Sequence, residues 1–474
     1  MGEVPVAAPV EEKRIIYTID DKPPLQESIF LGIQHYLTMF GATVSIPLLL
    51  AFAMEMPPTD TSLLISAIFF VSGIATLLQT TIGNRLPVVQ GGSFSFLPPT
   101  FVIIGATVGE GMGFEIAIQQ ITGAIMVASA FEIILGYTGI MGKIRRFIGP
   151  VTIGPTIALI GLALFGVGAP FAGQHWGVAL VVIIAIILYS QIFSRRSKIF
   201  MLFPILLAIL TGWVVAAALS GAGVFVSGDA AYVDPGKIEA APWIVAPIPF
   251  RWGLPQFIPA FILGMLAAYL ASMIESIGDY YAVSRISEAP IPTEATISRG
   301  LGTEGVGCLI ASIFQSCNGS TTYSENIGAI GLTRVASRYV VQIGAISMIV
   351  FSIFGKVGGF FSTMPVPIIG AMYMALFGLI AAVGLSNLML CDMGSPRNLF
   401  IVGFIFFAGL SVPAYFAETP AVFDPQWVAD IVTTIGSTGM AVAAILGIIL
   451  DNLIPGTREE RGLVAWDKAA QGGS

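Results

Sequence analysis

The sequence is poor in charged residues, and this scarcity excludes a soluble protein. Only 10% of its 474 residues are charged, whereas 55% are hydrophobic, and the mean hydropathy is +0.88. A soluble chain of this length needs a solvated surface that so few charges do not provide. Apolar stretches recur from Phe30 to Leu450 without a polar block long enough for a separate soluble domain. The sequence therefore predicts a helical protein that crosses a membrane many times.

Histidine and cysteine are also scarce, which argues against two kinds of site. The two histidines are too few for a metal cluster, and we predict neither a metal nor another cofactor. The three cysteines, Cys308, Cys317 and Cys391, are an odd number in or next to apolar segments, so buried thiols are expected rather than a disulfide framework. No nucleophile–base pair stands out, and we predict neither enzymatic activity nor nucleic-acid binding. Residues 1–28 lack the apolar core of a cleavable signal peptide.

Apolar stretches of about 20 residues, the length needed to span a bilayer, predict fourteen membrane segments. The first half contains seven of them: 30–53, 61–82, 93–108, 116–138, 149–168, 177–193 and 200–220. The second half contains the other seven: 257–284, 296–316, 323–336, 338–362, 366–386, 398–415 and 430–452. Because the number in each half is odd, the halves run in opposite senses. The predicted fold class is an all-α polytopic membrane protein with two inverted seven-segment repeats.

The distribution of positive charge predicts which side of the membrane each loop faces. Of the 21 Lys and Arg residues, only Lys237, Arg251 and Lys356 fall in loops that are outside when the N-terminus is inside. The remaining 18 lie in the tails and inside loops, as the positive-inside rule requires. We therefore expect both termini to be cytoplasmic, in a plasma or inner membrane, and the long loop 221–256 to lie outside.

The third and tenth segments are too short and too rich in Gly, Ser and Thr to be full helices. The third opens with QGGSFSFLPP from Gln90, and the tenth follows the extended stretch 320–323. Interrupted segments at corresponding positions of inverted repeats indicate a transporter's binding site. Since backbone polar groups at this depth need partners, we expect the two extended pieces to pair as short antiparallel strands. The N-termini of the two half-helices would then point at one central site.

Six acidic residues are candidates for groups at membrane depth, where an ionised side chain is costly. Glu132 and Asp451 lie near predicted cytoplasmic ends, and we interpret them as snorkelling or pairing with nearby Lys or Arg. The other four fall in segments eight to ten: Glu275, Asp279, Glu304 and Glu325. This concentration points to function rather than to chance.

Glu275 and Asp279 are four residues apart in SMIESIGDYYA, so both carboxylates lie on one helix face. Two ionised acids one turn apart repel each other, which favours proton uptake by at least one of them. The alternative is that they only pair with Arg285 or with hydroxyl groups. A metal site is less favoured because no histidine or further acid lies at ligand spacing.

Four separated motifs resemble the nucleobase–ascorbate transporter family. ENIGAIGLTR matches the family signature at Glu325, Asn326, Gly328, Thr333 and Arg334. QHYLTMFGATVSIPLLLA in the first segment, QGGSFSF in the third and ESIGDYYA in the eighth resemble the same family. The resemblance therefore covers nearly the whole chain.

The resemblance implies a core domain, a gate domain and an elevator-like movement of one against the other. The core would comprise 30–138 and 257–362, and the gate 149–220 and 366–452. The tails 1–29 and 453–474 would be cytoplasmic. The resemblance also implies a homodimer joined through the gates and surrounded by membrane lipid.

The resemblance also assigns expected roles to individual residues. Glu275 matches the acid that binds substrate in relatives, Glu325 the specificity residue, and Phe94 the aromatic that contacts the base. His35 matches a histidine that braces the site, and Glu304 a position where many relatives carry an acid. The remaining candidates are Tyr323 and Ser324 for substrate binding, Asp279 and Asn326 for proton coupling or bracing, and Thr333 and Arg334 as part of the specificity motif.

The expected substrate is a nucleobase, with uracil first and xanthine or uric acid as the alternative. TTYSENIGAIGLTRV resembles bacterial uracil permeases, whereas ESIGDYY resembles the animal ascorbate branch, and purine permeases commonly carry Asp where this chain has Asp279. Glu275 and Glu325 can accept hydrogen bonds from the ring N–H groups of uracil, and N–H groups near Phe94 and Ser324 can donate to its carbonyls. Ascorbate is an anion, which two facing carboxylates would repel.

The expected coupling ion is the proton rather than sodium. An acid cluster formed by Glu275, Asp279, Glu304 and Glu325 in a low-dielectric site tends to share a proton. Asp279 is the candidate for the proton-sensitive group, so Asp279→Asn is expected to abolish uphill uptake while sparing some binding. Sodium is the alternative, since the Ser/Thr-rich stretch 316–324 could supply oxygen ligands.

Overall fold

The computed structural model describes residues 15–140 and 149–464, without the side chains of Ser324, Glu325, Trp427 and Asp430. The predicted cytoplasmic tails reach into 1–14 and 465–474, and a predicted cytoplasmic loop covers 141–148. These three stretches lie outside the described residues.

The first half is helical apart from one short strand. Its elements up to residue 140 are α1 (Leu25–Ala53), α2 (Pro58–Thr81), β1 (Gln90–Gly91), a 3₁₀ turn (Phe94–Phe96), α3 (Leu97–Thr107) and α4 (Phe114–Tyr137). From residue 149 onward come α5 (Pro150–Ala163), α6 (Phe165–Gly173), α7 (Trp176–Ile187), a π turn (Leu188–Ile192), a 3₁₀ turn (Phe193–Arg195), α8 (Lys198–Leu202) and α9 (Pro204–Gly221). A short helix, α10 (Gly236–Ala240), lies in the long loop.

The second half repeats this arrangement of long helices around one short strand. Its first elements are α11 (Pro259–Ile286), α12 (Glu294–Ile313), β2 (Thr321–Thr322), α13 (Ser324–Thr333), α14 (Arg338–Ile353) and α15 (Gly355–Ser362). Its last are α16 (Val366–Asn387), a 3₁₀ turn (Leu388–Leu390), α17 (Pro396–Glu418), α18 (Gln426–Gly436) and α19 (Gly439–Leu453).

Helix starts follow from local sequence. Proline, which lacks the N–H that a first turn leaves without a partner, opens several helices, for example at Pro58, Pro204 and Pro259. Side-chain caps open others: the Thr293 hydroxyl accepts from the Thr296 N–H at 3.2 Å, at the start of α12.

A membrane protein with many helical spans is confirmed. Within the described residues, nine helices are long and apolar enough to cross a bilayer. Each of the fourteen predicted segments overlaps a helix, but several are shorter or broken. Segment five bends at Leu164, segment eleven breaks at Phe354, and segment fourteen divides at Ser437 and Thr438 into α18 and α19. Segment nine, α12, carries three charged residues and is less apolar than the nine. The count of fourteen and the inverted repeat stay predictions.

We treat the helices as two groups, which contact each other where α18 packs against α11. In the first helix group, defined as α1–α4 with α11–α15, α12 packs along α4, and α14 packs against α1 and α2. In the second helix group, defined as α5–α9 with α16–α19, α16 packs against α5, α6 and α7, and α19 against α5 and α17. The strand pair lies inside the first group, on the side that faces α5 and α16.

The long loop 221–256 is tied to the ends of the first helix group. The Val245 N–H donates to the Ile353 carbonyl at 2.8 Å, and the Phe250 N–H donates to the Ile313 carbonyl at 2.9 Å. The Trp252 indole donates to the Asp60 carboxylate at 2.8 Å, whereas Trp243 is 72% exposed. The loop therefore crosses the ends of these helices, and apolar side chains such as Trp243 are exposed on its outer side.

Candidate substrate-binding site

The two broken segments meet at an antiparallel strand pair. Gln90 is opposite Thr322 and Gly91 is opposite Thr321, and the Tyr323 N–H extends the ladder to the Val89 carbonyl at 3.0 Å. A β-carbon at Gly91 would lie 2.1 Å from the Tyr323 ring, so glycine is required there. This pairing gives partners to backbone groups at a depth where water is scarce.

Tyr323 connects the two broken segments through its hydroxyl. The hydroxyl donates to the Gly92 carbonyl at 2.7 Å and accepts from the Thr43 hydroxyl of α1 at 3.1 Å. The sequence predicts Tyr323 as a substrate contact, and its ring does line the cavity described next. Its hydroxyl, however, holds protein groups together.

A cavity of about 260 Å³ lies between the strand crossing and the second helix group. Its polar wall comes from the first helix group: Gly92, Ser93, Phe94, Ser95, Glu275, Thr321, Thr322 and Tyr323. Its apolar wall comes from α5 and α16: Ile157, Ile160, Leu376, Leu379, Ile380 and Val383. A planar solute with polar edges fits a space whose hydrogen-bonding groups lie on one side only.

Glu275 is the carboxylate that the described side chains contribute to this cavity. Its carboxylate accepts a hydrogen bond from the Ser95 hydroxyl at 3.3 Å. This bond connects α11 to the 3₁₀ turn before α3. A carboxylate on an otherwise neutral wall favours a ligand that presents N–H donors.

Phe94 lies where the two helix groups touch. Its ring is 8% exposed and packs edge-on against Phe377 of α16, with centroids 5.6 Å apart. Phe377 in turn stacks on Tyr373 at 5.1 Å. Phe377 and Tyr373 support Phe94 from behind the cavity wall, whose aromatic lining residues are Phe94 and Tyr323.

A second cavity of about 240 Å³ continues from the first along α11. Both cavities are lined by Glu275, Ile157 and Val383, so Glu275 lies where the two spaces adjoin. The second is more polar, and Asp279 and Arg285 line it. The predicted pair Glu275 and Asp279 thus faces one continuous path.

Glu304 lies behind the strand crossing, not in either cavity. It is 1% exposed and accepts hydrogen bonds from the Ser276 hydroxyl at 2.6 Å and the Tyr280 hydroxyl at 3.2 Å. It also accepts from the Thr322 hydroxyl at 3.3 Å and the Gln90 amide at 3.4 Å, which joins it to both strands. All four donors are neutral.

This position corrects the expectation that the acids of segments eight to ten gather in one cluster. Glu275 and Asp279 face the cavities, whereas the next residues on α11, Ser276 and Tyr280, face Glu304. Because one-residue steps on a helix change direction by about 100°, the two acid sites lie on different faces of α11. The side chain of Glu325 is not described, so its place stays a prediction.

His35 and Asn326 form a buried contact beside the strands. His35 Nδ1 lies 2.6 Å from Asn326 Oδ1, and Asn326 Nδ2 donates to the Pro87 carbonyl at 2.8 Å. Because the amide nitrogen faces a carbonyl, Oδ1 is the acceptor and His35 Nδ1 carries the proton. The contact joins α1, α13 and the chain before β1.

The end of the signature motif has a local structural use. The Thr333 hydroxyl donates to the Ala329 carbonyl at 2.9 Å, and Arg334 adopts a left-handed backbone conformation with φ of 59° that ends α13. The Ile16 N–H then donates to the Arg334 carbonyl at 2.8 Å. Neither side chain lines the cavity, and Ser324 is described in its backbone only.

Several residues of the candidate site were not predicted from the sequence. The predicted roles did not include Ser95, Ser276 or Gln90, although each bonds to a predicted acid or strand. Ser276 and Tyr280 share the four-residue spacing of Glu275 and Asp279, so that spacing could have identified a second polar face of α11. The residues of the apolar wall form no sequence pattern that distinguishes them from residues that face the membrane.

Comparisons with known proteins agree with this architecture. Residues 26–418 match the model of a permease family, Xan_ur_permease. The chain is 42% identical to solute carrier family 23 member 2 of Mus musculus, over 97% of this chain and 78% of that protein. It is 37% identical to nucleobase-ascorbate transporter 2 of Arabidopsis thaliana, over 95% of this chain and 91% of that protein. The fold resembles the transmembrane domain of the cyanobacterial bicarbonate transporter BicA, with a TM-score of 0.59 at 14% identity, covering 90% of this chain and all of that one.

Proposed function

Because the chain belongs to the nucleobase–ascorbate transporter family, we propose that it is a secondary active transporter that imports a nucleobase, with uracil as the first candidate. The family indicated by four sequence motifs is confirmed, and its members are transporters. The observation that carries the choice of substrate is Glu275, which lies on the polar wall of a cavity beside the strand crossing. Xanthine or uric acid is the alternative within the same class.

The cavity chemistry supports a planar base with N–H donors. The Glu275 carboxylate accepts from a ring N–H, and a hydrogen bond to a charged acceptor contributes about 1.5–3 kcal/mol. The Ser95 hydroxyl, 3.3 Å from Glu275, is placed to exchange that bond for one to the base. Phe94 and the apolar wall of α5 and α16 cover the faces of the ring and exclude water.

Proton coupling is supported by the surroundings of Glu304. Its four donors are neutral, so taking up a proton breaks no ion pair. Two of these donors belong to the paired strands, and one of them, Thr322, also lines the cavity, which links the protonation of Glu304 to the cavity wall. Asp279 stays a second candidate, since it lines the polar cavity next to Glu275.

The movement proposed is an elevator shift of the first helix group, acting as core, against the second, acting as gate. The substrate cavity lies at the boundary between the groups, with nearly all polar groups on one side and apolar ones on the other. A smooth apolar surface suits sliding because it makes no hydrogen bonds that must break. The wider proposal is a homodimer joined through the gate, with both termini cytoplasmic.

Ascorbate is a second candidate because of two observations. ESIGDYY resembles the animal ascorbate branch, and the name of the Arabidopsis relative includes ascorbate. Arg285 lines the second cavity and could meet an anion there. Against this, Glu275 repels an anion in the first cavity.

Uptake into proteoliposomes tests the proposal. Radiolabelled uracil should accumulate under an inward proton gradient in sodium-free buffer, exchange in counterflow, and lose accumulation when a protonophore is added. Xanthine, uric acid and ascorbate serve as competitors. Ascorbate uptake with no competition from any base would overturn the nucleobase proposal, and a strict sodium requirement would overturn proton coupling.

A further inference from the structure

Glu132 is a buried acid that the proposed transport site does not use. It lies in the last third of α4 and is 1% exposed. Neither of its carboxylate oxygens makes a well-formed hydrogen bond within the described part of the chain, and a weak donor, the Cys308 thiol, lies beside it. The interpretation that Glu132 snorkels to the cytoplasmic surface is therefore wrong, because the side chain points into packed protein.

The Glu132 side chain packs against α12, the helix that carries Glu304. Where α4 crosses α12, a β-carbon at Gly305 would lie 3.1 Å from Glu132 Cγ, and one at Gly136 would lie 2.2 Å from the Gly302 nitrogen. Because glycine has no side chain, the backbones of α4 and α12 approach closely and enclose the Glu132 side chain between them. Glu304, the residue before Gly305, interacts electrostatically with Glu132.

The other titratable groups around Glu132 are neutral in their ordinary forms. From α11, Tyr269 is fully buried with its hydroxyl beside the Cys308 thiol, while Tyr280 donates to Glu304. From α12, the Cys308 thiol donates to the Ser320 carbonyl at 3.3 Å. None of the ion pairs between described residues includes Glu132 or Glu304.

The two acids differ in what holds them. Four O–H and N–H donors surround Glu304, which suits a carboxylate, whereas the described donor beside Glu132 is a weak one, the Cys308 thiol. An ionised carboxylate that is buried without a cation or a strong donor is far costlier than the neutral acid. Two ionised acids on adjoining helices would add repulsion to that cost.

We propose that Glu132 and Glu304 form a two-acid proton site, in which Glu132 carries a resident proton as a neutral carboxylic acid. The resident proton keeps the pair at no more than one negative charge, so that Glu304 can exchange its own proton during transport. The Tyr269 hydroxyl, which is buried near Glu132 and Cys308, belongs to the same site. The occupancy of Glu132 by a proton does not depend on which solute is carried.

Infrared spectroscopy of the purified full-length protein in lipid nanodiscs tests the proposal directly. At neutral pH the wild-type protein should show the carbonyl-stretch band of a protonated carboxylic acid. Glu132→Gln, which is close in shape and neutral, should remove that band, whereas Glu304→Gln should keep it. Glu115→Gln is the matched control: Glu115 is exposed in the first turn of the same helix, and its loss should remove only an ionised-carboxylate band.

Two results would overturn the proposal. One is a wild-type spectrum at neutral pH without any protonated-acid band, which needs no variant and so stands even if Glu132→Gln does not fold. The other is a Glu132→Gln difference spectrum that loses an ionised-carboxylate band, as Glu115→Gln does, and keeps the protonated one. Neither result bears on substrate uptake, so the proposed transport function can fail or hold separately.

Discussion

Two buried acids, Glu304 and Asp451, are equally hidden from solvent but are held in opposite ways. Both are 1% exposed. Asp451 pairs with two cations: Arg397 Nη2 lies 2.9 Å from one carboxylate oxygen, and Arg461 Nη2 lies 3.0 Å from the other. Glu304 receives its hydrogen bonds from hydroxyls and an amide.

The difference separates an acid bound to cations from one bound to neutral donors. Two arginines hold Asp451 near the end of α19, so this acid acts as a structural joint, called here the Asp451 joint. Protonating Glu304 leaves no cation without its counter-charge, and the hydroxyl groups around Glu304 can reorient. A proton carrier is therefore expected in the first helix group and not at the Asp451 joint.

The largest effect is expected from breaking the Asp451 joint. Arg397→Ala removes one cation and three further hydrogen bonds to the carbonyls of Asp451 and Ile454, and breaking a buried pair costs about 3–5 kcal/mol. Thermal denaturation of the detergent-purified protein, followed by size-exclusion chromatography, should show a clear fall in midpoint.

Arg338→Ala is the matched control for that experiment. Arg338 pairs with Asp20, whose side chain is 68% exposed, so its loss should cost at most about 1 kcal/mol. Equal midpoints for Arg397→Ala and Arg338→Ala would contradict the structural role given to the Asp451 joint.

A third acid, Glu275, sharpens the comparison because it faces a cavity. Glu275→Gln should weaken nucleobase binding by about 10- to 100-fold, the equivalent of one hydrogen bond to a charged group. Ser95→Ala, which removes the neutral partner at 3.3 Å, should weaken it by less than about tenfold. Isothermal calorimetry or a binding assay with labelled base measures both, and equal effects would place the substrate elsewhere.

The smallest effect is expected from removing the hydrogen bond between Ser395 and Glu460, which lies next to the Asp451 joint in the segment after α19. The Ser395 hydroxyl donates to Glu460, and this bond, with the Thr457 N–H and the Arg397 charge, lowers the pKa of that exposed carboxyl. A lowered pKa stabilises the folded state above the carboxyl's unfolded pKa, and the contribution is lost as pH falls through the folded value. Ser395→Ala should therefore lower the melting midpoint slightly at neutral pH and less in acid, and a pH-independent difference would contradict this cause.

The sequence was sufficient for features set by local chemistry. Charge scarcity and apolar length predicted a helical protein with many spans, and Gly91 with Thr321 and Thr322 predicted extended pieces that meet in the structure. The expectation that Asp451 pairs with nearby arginine is also confirmed, since Arg461 follows ten residues later.

Features set by packing between distant helices were out of reach. Which face of α11 meets α12 decides that Ser276 contacts Glu304 while Glu275 does not, and no spacing within α11 contains that information. The burial of Glu132 depends in the same way on the glycines of α12 that let α4 approach.

The central claim is that Glu304, and not a cation-paired acid, carries the coupling proton. Proton movement measured with a pH-sensitive dye inside proteoliposomes, alongside labelled-base counterflow, tests this most directly. The wild-type protein should acidify the lumen as base enters, and Glu304→Gln should keep counterflow while losing proton movement and uphill uptake. Continued proton movement with base in Glu304→Gln would contradict the account.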